Sequence, residues 1–224
     1  MTDAPWSPRD PGGPAETLRS LLASILADAQ RLGFLGAAAI SEHVAHASGF
    51  VAALGREEFG SAEVLDLGSG GGVPGLVVAV LCPTARVRLL DGSVVRAEFL
   101  RSAVGRLGLS ERVAVVNARA EDAGRDPDLR SQCDVVLARG FAAPGVTAEC
   151  GAPFLVDGGH LVVSEPPPDA RRDERWPADG CALVGLELVD TPCVPWSYAV
   201  LRQSGPCPER YPRRVGIPGK RPLF

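Results

Sequence analysis

The chain has 224 residues, with 23 Lys and Arg against 27 Asp and Glu, a formal net charge of −4. That length suits one domain, which buries roughly 70% of its unfolded surface and needs neither metal nor disulfide to hold a core. The slight negative charge argues against a protein that coats nucleic acid, though not against a local basic site.

The six cysteines and three histidines are scattered, without a C-x-x-C pair, which speaks against a zinc site. Neither a signal peptide nor an apolar run of spanning length is visible. The expectation is therefore a cytoplasmic protein with reduced thiols, a monomer that binds no membrane and no metal.

In chain order, residues 1–14 are rich in Pro, Gly and Asp and read as a disordered tail. From Ala15 to about Leu35, Leu18, Leu21, Leu22, Ile25, Leu26 and Leu32 follow a helical period. Ser41 is placed to cap a second helix whose apolar stripe is Val44, Ala47, Phe50, Val51 and Leu54. Residues 15–58 thus form a helical cap, expected to pack over the ligand end of the domain that follows, 59–224. His43 and His46 lie on one face of this second helix; satisfied core or surface histidines are the ordinary reading.

The stretch that organises the rest is Glu63–Leu81: an apolar run ending in Asp66, a glycine-rich break through Gly68, Ser69, Gly70, Gly72 and Gly75, and a second apolar run. This is the form of strand, tight turn and helix, with Pro74 suited to the helix start. A second strand, Val87–Leu90, ends in Asp91, placed to accept hydrogen bonds from a ribose. Gly70-x-Gly72-x-x-Gly75 matches the dinucleotide fingerprint. The acid ending the first strand favours instead a cationic ligand without phosphate, S-adenosylmethionine (SAM), whose sulfonium and α-amino group it would attract.

A helix over Val94–Leu107 follows, stopped at Gly108, then a strand Val113–Val116. Beyond that strand, the Ala120 backbone and the Glu121 carboxylate are candidates to read an adenine ring, although Glu121 equally suits a helix cap. Cys133–Ala138 is a fourth strand ending in Arg139, Gly140 and Phe141. Arg139 reads either as a group that stacks on or hydrogen-bonds a planar acceptor, or as a salt-bridge partner of Asp66 or Glu149. A helix from Pro144 to Phe154 closes at the turn signal Asp157–Gly159, before a strand His160–Ser164 and a charged, mobile-looking segment to about Arg175.

Two consecutive strands, Ala182–Val189 and Ser197–Leu201, then end the alternation. The fold class is α/β and Rossmann-like: a seven-stranded, mostly parallel sheet with one antiparallel edge strand and N-terminal helices. Ligands of such sheets sit at the carboxyl ends of the strands, where Asp66, Asp91, Glu121 and Arg139 all fall. The basic tail from Arg210 to Arg221 reads as an ordered loop suited to phosphates, or as a solvated terminus.

These residues carry a family likeness. Asp66–Gly75, Leu90-Asp91 with Arg96 and Phe99-Leu100, Arg119–Glu121, Ala138–Phe141 and the tail Arg210–Leu223 resemble the RsmG (GidB) family of bacterial SAM-dependent methyltransferases. Members of that family methylate N7 of a guanine in 16S ribosomal RNA. The likeness runs from about His43 to the C-terminus, and it implies a class I methyltransferase fold. It implies a donor site made from Asp66, Gly68, Ser69, Gly70, Gly72, Asp91, Gly92, Ala120, Glu121 and Arg139. Arg139 is the catalytic candidate, and His43, Arg96, Phe141, Arg213, Arg214 and Lys220 are expected on the RNA side, with 16S rRNA or the small ribosomal subunit as partner.

Two departures stand out. Where the family has a basic pair before its second helix the chain has Val95-Arg96, and where it has Lys-Gly after the fifth strand the chain has Glu165-Pro166. A reversed charge at an RNA-facing loop repels phosphate, so a methyltransferase of a small molecule or protein is the alternative. A nicotinamide-dependent oxidoreductase and a silent SAM-binding regulator follow behind it.

Overall fold

The computed structural model describes residues 14–167 and 173–224; the expected N-terminal tail and the middle of the charged segment lie outside the described residues. The chain runs α1 (Pro14–Arg31), α2 (Ile40–Leu54), β1 (Glu63–Leu67), α3 (Gly75–Leu81), β2 (Arg86–Leu90), α4 (Val94–Arg106) and β3 (Val113–Val116). It continues through α5 (Ala120–Ala123), β4 (Cys133–Ala138), α6 (Pro144–Gly151), β5 (Leu155–Glu165), α7 (Ala178–Ala182), β6 (Leu186–Asp190), β7 (Ser197–Gln203) and α8 (Ile217–Lys220).

One seven-stranded sheet has the order β3-β2-β1-β4-β5-β7-β6. Strands β1 to β5 pair in parallel, and β7 is antiparallel to both β5 and β6. The expected antiparallel strand is therefore β7, one place in from the margin, with β6 outside it.

Strand side chains alternate between two cores, the consequence of a two-residue period in a sheet covered on both faces. Val64, Val87, Leu89, Val135, Leu137, Val162 and Val200 join α1 to α4 in one cluster. Leu65, Leu67, Val136, Ala138, Leu161 and Leu201 face the other, under α6 and α7. Apolar runs that alternate between two buried faces leave no polar side, which is why the strands read as continuous hydrophobic stretches.

The helical cap is placed differently from the sequence expectation. The stripe of Leu22, Ile25, Leu26, Val44, Ala47, Phe50 and Val51 is buried in the first core, so α1 and α2 lie along a face of the sheet. A wide apolar stripe needs an apolar surface, and the polar carboxyl ends of the strands offer none. The α1–α2 loop and the first turn of α2, with His43, reach that end. α2 starts after Ala39, so Ser41 sits exposed in its first turn and caps nothing.

Two other boundaries move. Asp157–Gly159 lie inside β5 as an irregularity where the β4–β5 register shifts, because Leu155 already pairs with Cys133. Ala182 ends α7 instead of starting a strand, since Gly185 at φ +77° breaks the run before β6.

Close packing seats α2 on β7. The Tyr198 hydroxyl donates to His46 O at 2.7 Å, and a Cβ on Gly49 would lie 2.1 Å from that hydroxyl oxygen. Gly49→Ala is expected to destabilise the fold by about 1–3 kcal/mol, the usual cost of overpacking, read as a fall in Tm of about 2–4 °C per kcal/mol. Adding Tyr198→Phe should recover part of the loss, and a wild-type Tm for Gly49→Ala would refute this packing.

Candidate active site

The site forms where β1, β2, β3 and β4 end together. After β1 the backbone turns sharply, and Gly68 N and Ser69 N both donate to Leu90 O at 2.9 Å. Gly68 adopts φ +74°, and a Cβ there would stand 2.7 Å from the Phe141 ring. No other residue satisfies both demands.

Two carboxylates brace the turn from below. Asp66 is 1% exposed, and its Oδ2 accepts from Gly75 N at 2.9 Å, fixing the start of α3. Its Oδ1 is buried without a hydrogen-bond partner among the described residues, and burial pushes the carboxyl up to about 7. Asp91 accepts from Gly70 N at 2.9 Å through Oδ2 and from Ser93 N at 2.8 Å through Oδ1. Each Asp91 oxygen keeps a lone pair for a further donor. Asn117, which sequence reasoning passed over, ties β3 to β2 by donating to Asp91 O at 2.8 Å.

A cavity of about 390 Å³ opens above these ends, walled by Gly68, Asp91, Gly92, Ala120, Glu121 and Phe141 among others. The structure thus brings together five of the ten residues assigned to a donor, Gly68, Asp91, Gly92, Ala120 and Glu121, while Ser69, Gly70 and Arg139 line the adjoining cavity. Asp66 lies beneath the cavity and not in its wall. Gly72 is a correction: it points into the core, where a Cβ would meet Leu76 at 2.4 Å, and it lines neither this cavity nor the next. It serves the compact turn.

A second cavity, of about 340 Å³, shares Gly68, Arg96 and Gly140 with the first. Phe34, Gly36, Ser69, Gly70, Arg96 and Arg139 are on its wall, with His43. Arg139 Nη2 donates to His43 Nδ1 at 2.9 Å, and since arginine has only donors, the ring proton sits on Nε2 and is donated to Gly36 O, also at 2.9 Å. His43, only 4% exposed, thus locks both the arginine and the α1–α2 loop. The two expected salt-bridge partners of Arg139 are engaged elsewhere: Asp66 with Gly75, and Glu149 with Arg213. His46 stacks among Phe50, Trp196 and Tyr198, and burial lowers it to about 4, so it stays neutral.

The tail overturns one expectation and adds a wall. Arg213 binds no external phosphate: its Nε and Nη2 grip the fully buried Glu149 at 2.8 and 2.6 Å. Arg130 holds the same segment through Tyr211 O at 2.8 Å and Cys207 O at 2.7 Å. Gly216 N then donates to Glu121 Oε1 at 3.0 Å, so Gly216 and Gly219 form part of the first cavity. Glu121 accordingly caps no helix. Arg214 and Lys220 remain exposed on the same tail. Glycines in a basic tail gave no sequence signal for a wall; only docking reveals it.

Phe141 is also relocated. It lines the first cavity but not the one that holds Arg139. Glu165, expected to present a repelling charge, has a side chain only 3% exposed and pairs with Arg175 and with Trp176 Nε1. Its charge is neutralised within the protein.

A glycine turn over two strand-end acids, beside a cavity lined by arginines, is matched by a family model. That model, described as rRNA small subunit methyltransferase G (GidB), covers residues 16–165. The chain belongs to this family. The match starts upstream of His43, where the resemblance was expected to begin, and stops at Glu165, short of the tail.

A ribosomal RNA small subunit methyltransferase G from Pelotomaculum thermopropionicum is 38% identical over 167 residues, spanning 71% of this chain and 69% of its own length. The protein of that name from Rubrobacter xylanophilus is 40% identical over 173 residues, spanning 71% and 64%. Among solved structures, cofactor-bound Rv0187 from MTB superposes with a TM-score of 0.57 at 20% identity, covering 83% of this chain and 90% of that one. A candidate O-methyltransferase from Klebsiella pneumoniae gives 0.59 at 14% identity, covering 88% and 91%. These two likenesses concern the fold alone. Membership of the GidB family and the shared fold make the chain a methyltransferase of the Rossmann-like class.

Arg213→Ala should loosen the tail. Leaving a buried carboxylate without its cation costs roughly 3–5 kcal/mol, and about 2–3 kcal/mol is expected here because the guanidinium is partly exposed. The Gly216 amide should exchange hydrogen faster than in the wild type. Unchanged exchange at Gly216 would show that the pair does not hold the tail.

Proposed function

We propose that this methyltransferase uses SAM to methylate N7 of a guanine in 16S ribosomal RNA, by direct in-line transfer. The observation that carries the reading is the pairing of two adjoining cavities that share Gly68, Arg96 and Gly140, one bounded by Asp91, the other by Arg139. The names of the family and its relatives supply the RNA.

The residues present fit SAM. Asp91 retains lone pairs for the ribose hydroxyls, and the orphaned Asp66 Oδ1 is a buried acceptor that an ammonium group would satisfy. Gly92 and the Ala118–Glu121 segment would face the adenine, with Gly216 closing that side. When bound, SAM supplies a methyl made electrophilic by its sulfonium.

The protein's task is positioning. Guanine N7 carries a lone pair and no proton, so the transfer needs no general base, and rate is gained by holding the base and by fixed dipoles. Arg139, immobilised by His43, would donate to guanine O6, the commonest arginine contact to that base. Arg96, Arg214 and Lys220 would meet backbone phosphate. The rival, a small-molecule or protein acceptor, rested on the overall net charge of −4 and on the Glu165 charge, and Arg175 neutralises the second.

Three tests follow from the geometry. Incorporation of labelled methyl from SAM into unmodified small subunits, mapped to a guanine N7, would support the reading, whereas binding of SAM without incorporation would exclude ribosomal RNA. Arg139→Ala should lower turnover at least a hundredfold with nearly intact SAM affinity, and Asp91→Ala should do the opposite, weakening SAM binding at least tenfold by calorimetry. Equal loss of SAM binding in both would make Arg139 structural.

Asp66 predicts a pH dependence. Its carboxyl is raised to about 7 from 3.8, so the folded free protein prefers the protonated form, and the stability this contributes is lost as pH rises from about 4 through 7. A cationic ligand favours the ionised form, so SAM binding below pH 7 must release a proton. Affinity should weaken on going from pH 8 to pH 6, by at most about tenfold per unit, and Asp66→Asn should flatten that dependence. A slope unaltered in Asp66→Asn would remove Asp66 from the donor site.

A further inference from the structure

A third cavity, of about 310 Å³, lies beyond Phe141. It shares Gly140, Phe141 and Ala142 with the donor cavity, so a single ring and its neighbours separate the two. Gly140 lines all three cavities, which makes the end of β4 the point on which they converge. The remaining wall comes from the end of β5 (Val163, Ser164, Glu165, Pro166) and from Arg175 and Trp176. Nothing in the methyl-transfer reading uses these last two residues.

The chemistry of this wall is distinct from that of the Arg139 cavity. Among the described residues its wall carries two charges, Glu165 and Arg175, which pair with each other, with Trp176 Nε1 donating to the same carboxylate at 3.0 Å. A site without net charge holds no particular attraction for phosphate. The arginine bonds Glu165 through Nε, which leaves its two Nη groups to donate outward among the described residues, on a side chain 37% exposed. Flat apolar surfaces from Phe141, Pro144 and Pro166 complete it. Planar walls, one fixed guanidinium and net neutrality are what an uncharged heteroaromatic ring with a carbonyl acceptor requires. A volume of about 310 Å³ is at the small end of ligand sites, which span roughly 300–1,000 Å³.

We propose that this cavity is a second nucleobase subsite, which takes an unstacked base flanking the methylated guanine and reads its carbonyl edge with Arg175. The inference rests on the RNA methyltransferase reading and adds a recognition element to it. Sequence-specific RNA binding uses splayed bases stacked on aromatic rings and hydrogen-bonded at their edges. Phe141, set between the two cavities, acts as that platform, and the Glu165–Arg175 pair holds the guanidinium in place. The charge reversal at Glu165 is then a change in how this position meets RNA, with Arg175 as the contacting group.

The test uses the full-length enzyme and an RNA substrate in which each nucleotide flanking the target is replaced in turn by an abasic one. Arg175→Met should lower kcat/KM for intact RNA about tenfold to a hundredfold, the range of one good base contact, with SAM affinity unchanged. One abasic position should cost the wild type the same factor and cost Arg175→Met nothing further. A purely structural role for Arg175 would leave the abasic losses identical in both proteins, and this would overturn the subsite. A wild-type enzyme that methylates no RNA at all would overturn the RNA reading and remove the subsite with it, an outcome distinct from an active enzyme indifferent to Arg175.

Discussion

The site depends on one constraint, the bracing of the β1–α3 turn by carboxylates from below. Asp66 holds Gly75 N and Asp91 holds Gly70 N and Ser93 N. Two acids at neighbouring strand ends repel each other, and buried charge is costly unless hydrogen-bonded. Backbone N–H groups supply those bonds, and in return the turn is pinned at both ends. The cavity above it inherits its shape from this arrangement, since Gly68 sits against the Phe141 ring and Leu90 O takes two turn amides. Moving either acid would shift the donor cavity and the Arg139 cavity together, because they share Gly68.

Charge is distributed in a way that a net value of −4 conceals. Several arginines are internal fasteners: Arg213 on Glu149, Arg130 on carbonyls of the tail, and Arg125 on Pro212 O at 2.8 and 2.6 Å. They bind the C-terminal segment to the body, and through Gly216 they complete the donor cavity. Arg139 faces the second cavity instead, and Arg96 stands on the wall that the two cavities share. A basic tail thus works partly as structure, leaving Arg214 and Lys220 for solvent and ligand.

Much of the fold was legible because the strands are apolar runs of the right length with clear ends. Val113–Val116 and Cys133–Ala138 form strands with the boundaries read from the sequence. Strand ends are also where the acids and Arg139 were expected, and the parallel order of β1 to β4 gathers them. The failures share a cause, namely that local chemistry was overruled by a distant partner. Asp157–Gly159 has turn composition, yet pairing with β4 absorbs it into β5. Ser41 is a good cap residue, yet the cap position falls two residues earlier, at Ala39, because α2 must seat on the sheet. Gly72 belongs to the motif, yet faces Leu76.

The sequence by itself determined the α/β order, the glycine turn and the strand-end acids, which follow from local pattern and spacing, and it carried the family as a likeness of motifs. Tertiary structure decided which cations face a ligand. Neither Arg213 nor Arg139 has an adjacent acid in the sequence that would mark its partner. One lands on buried Glu149, 64 positions away, and the other on His43, 96 positions away. Pairing energy depends on distance and burial in three dimensions, so only the folded chain separates an arginine that fastens the tail from one that lines a cavity.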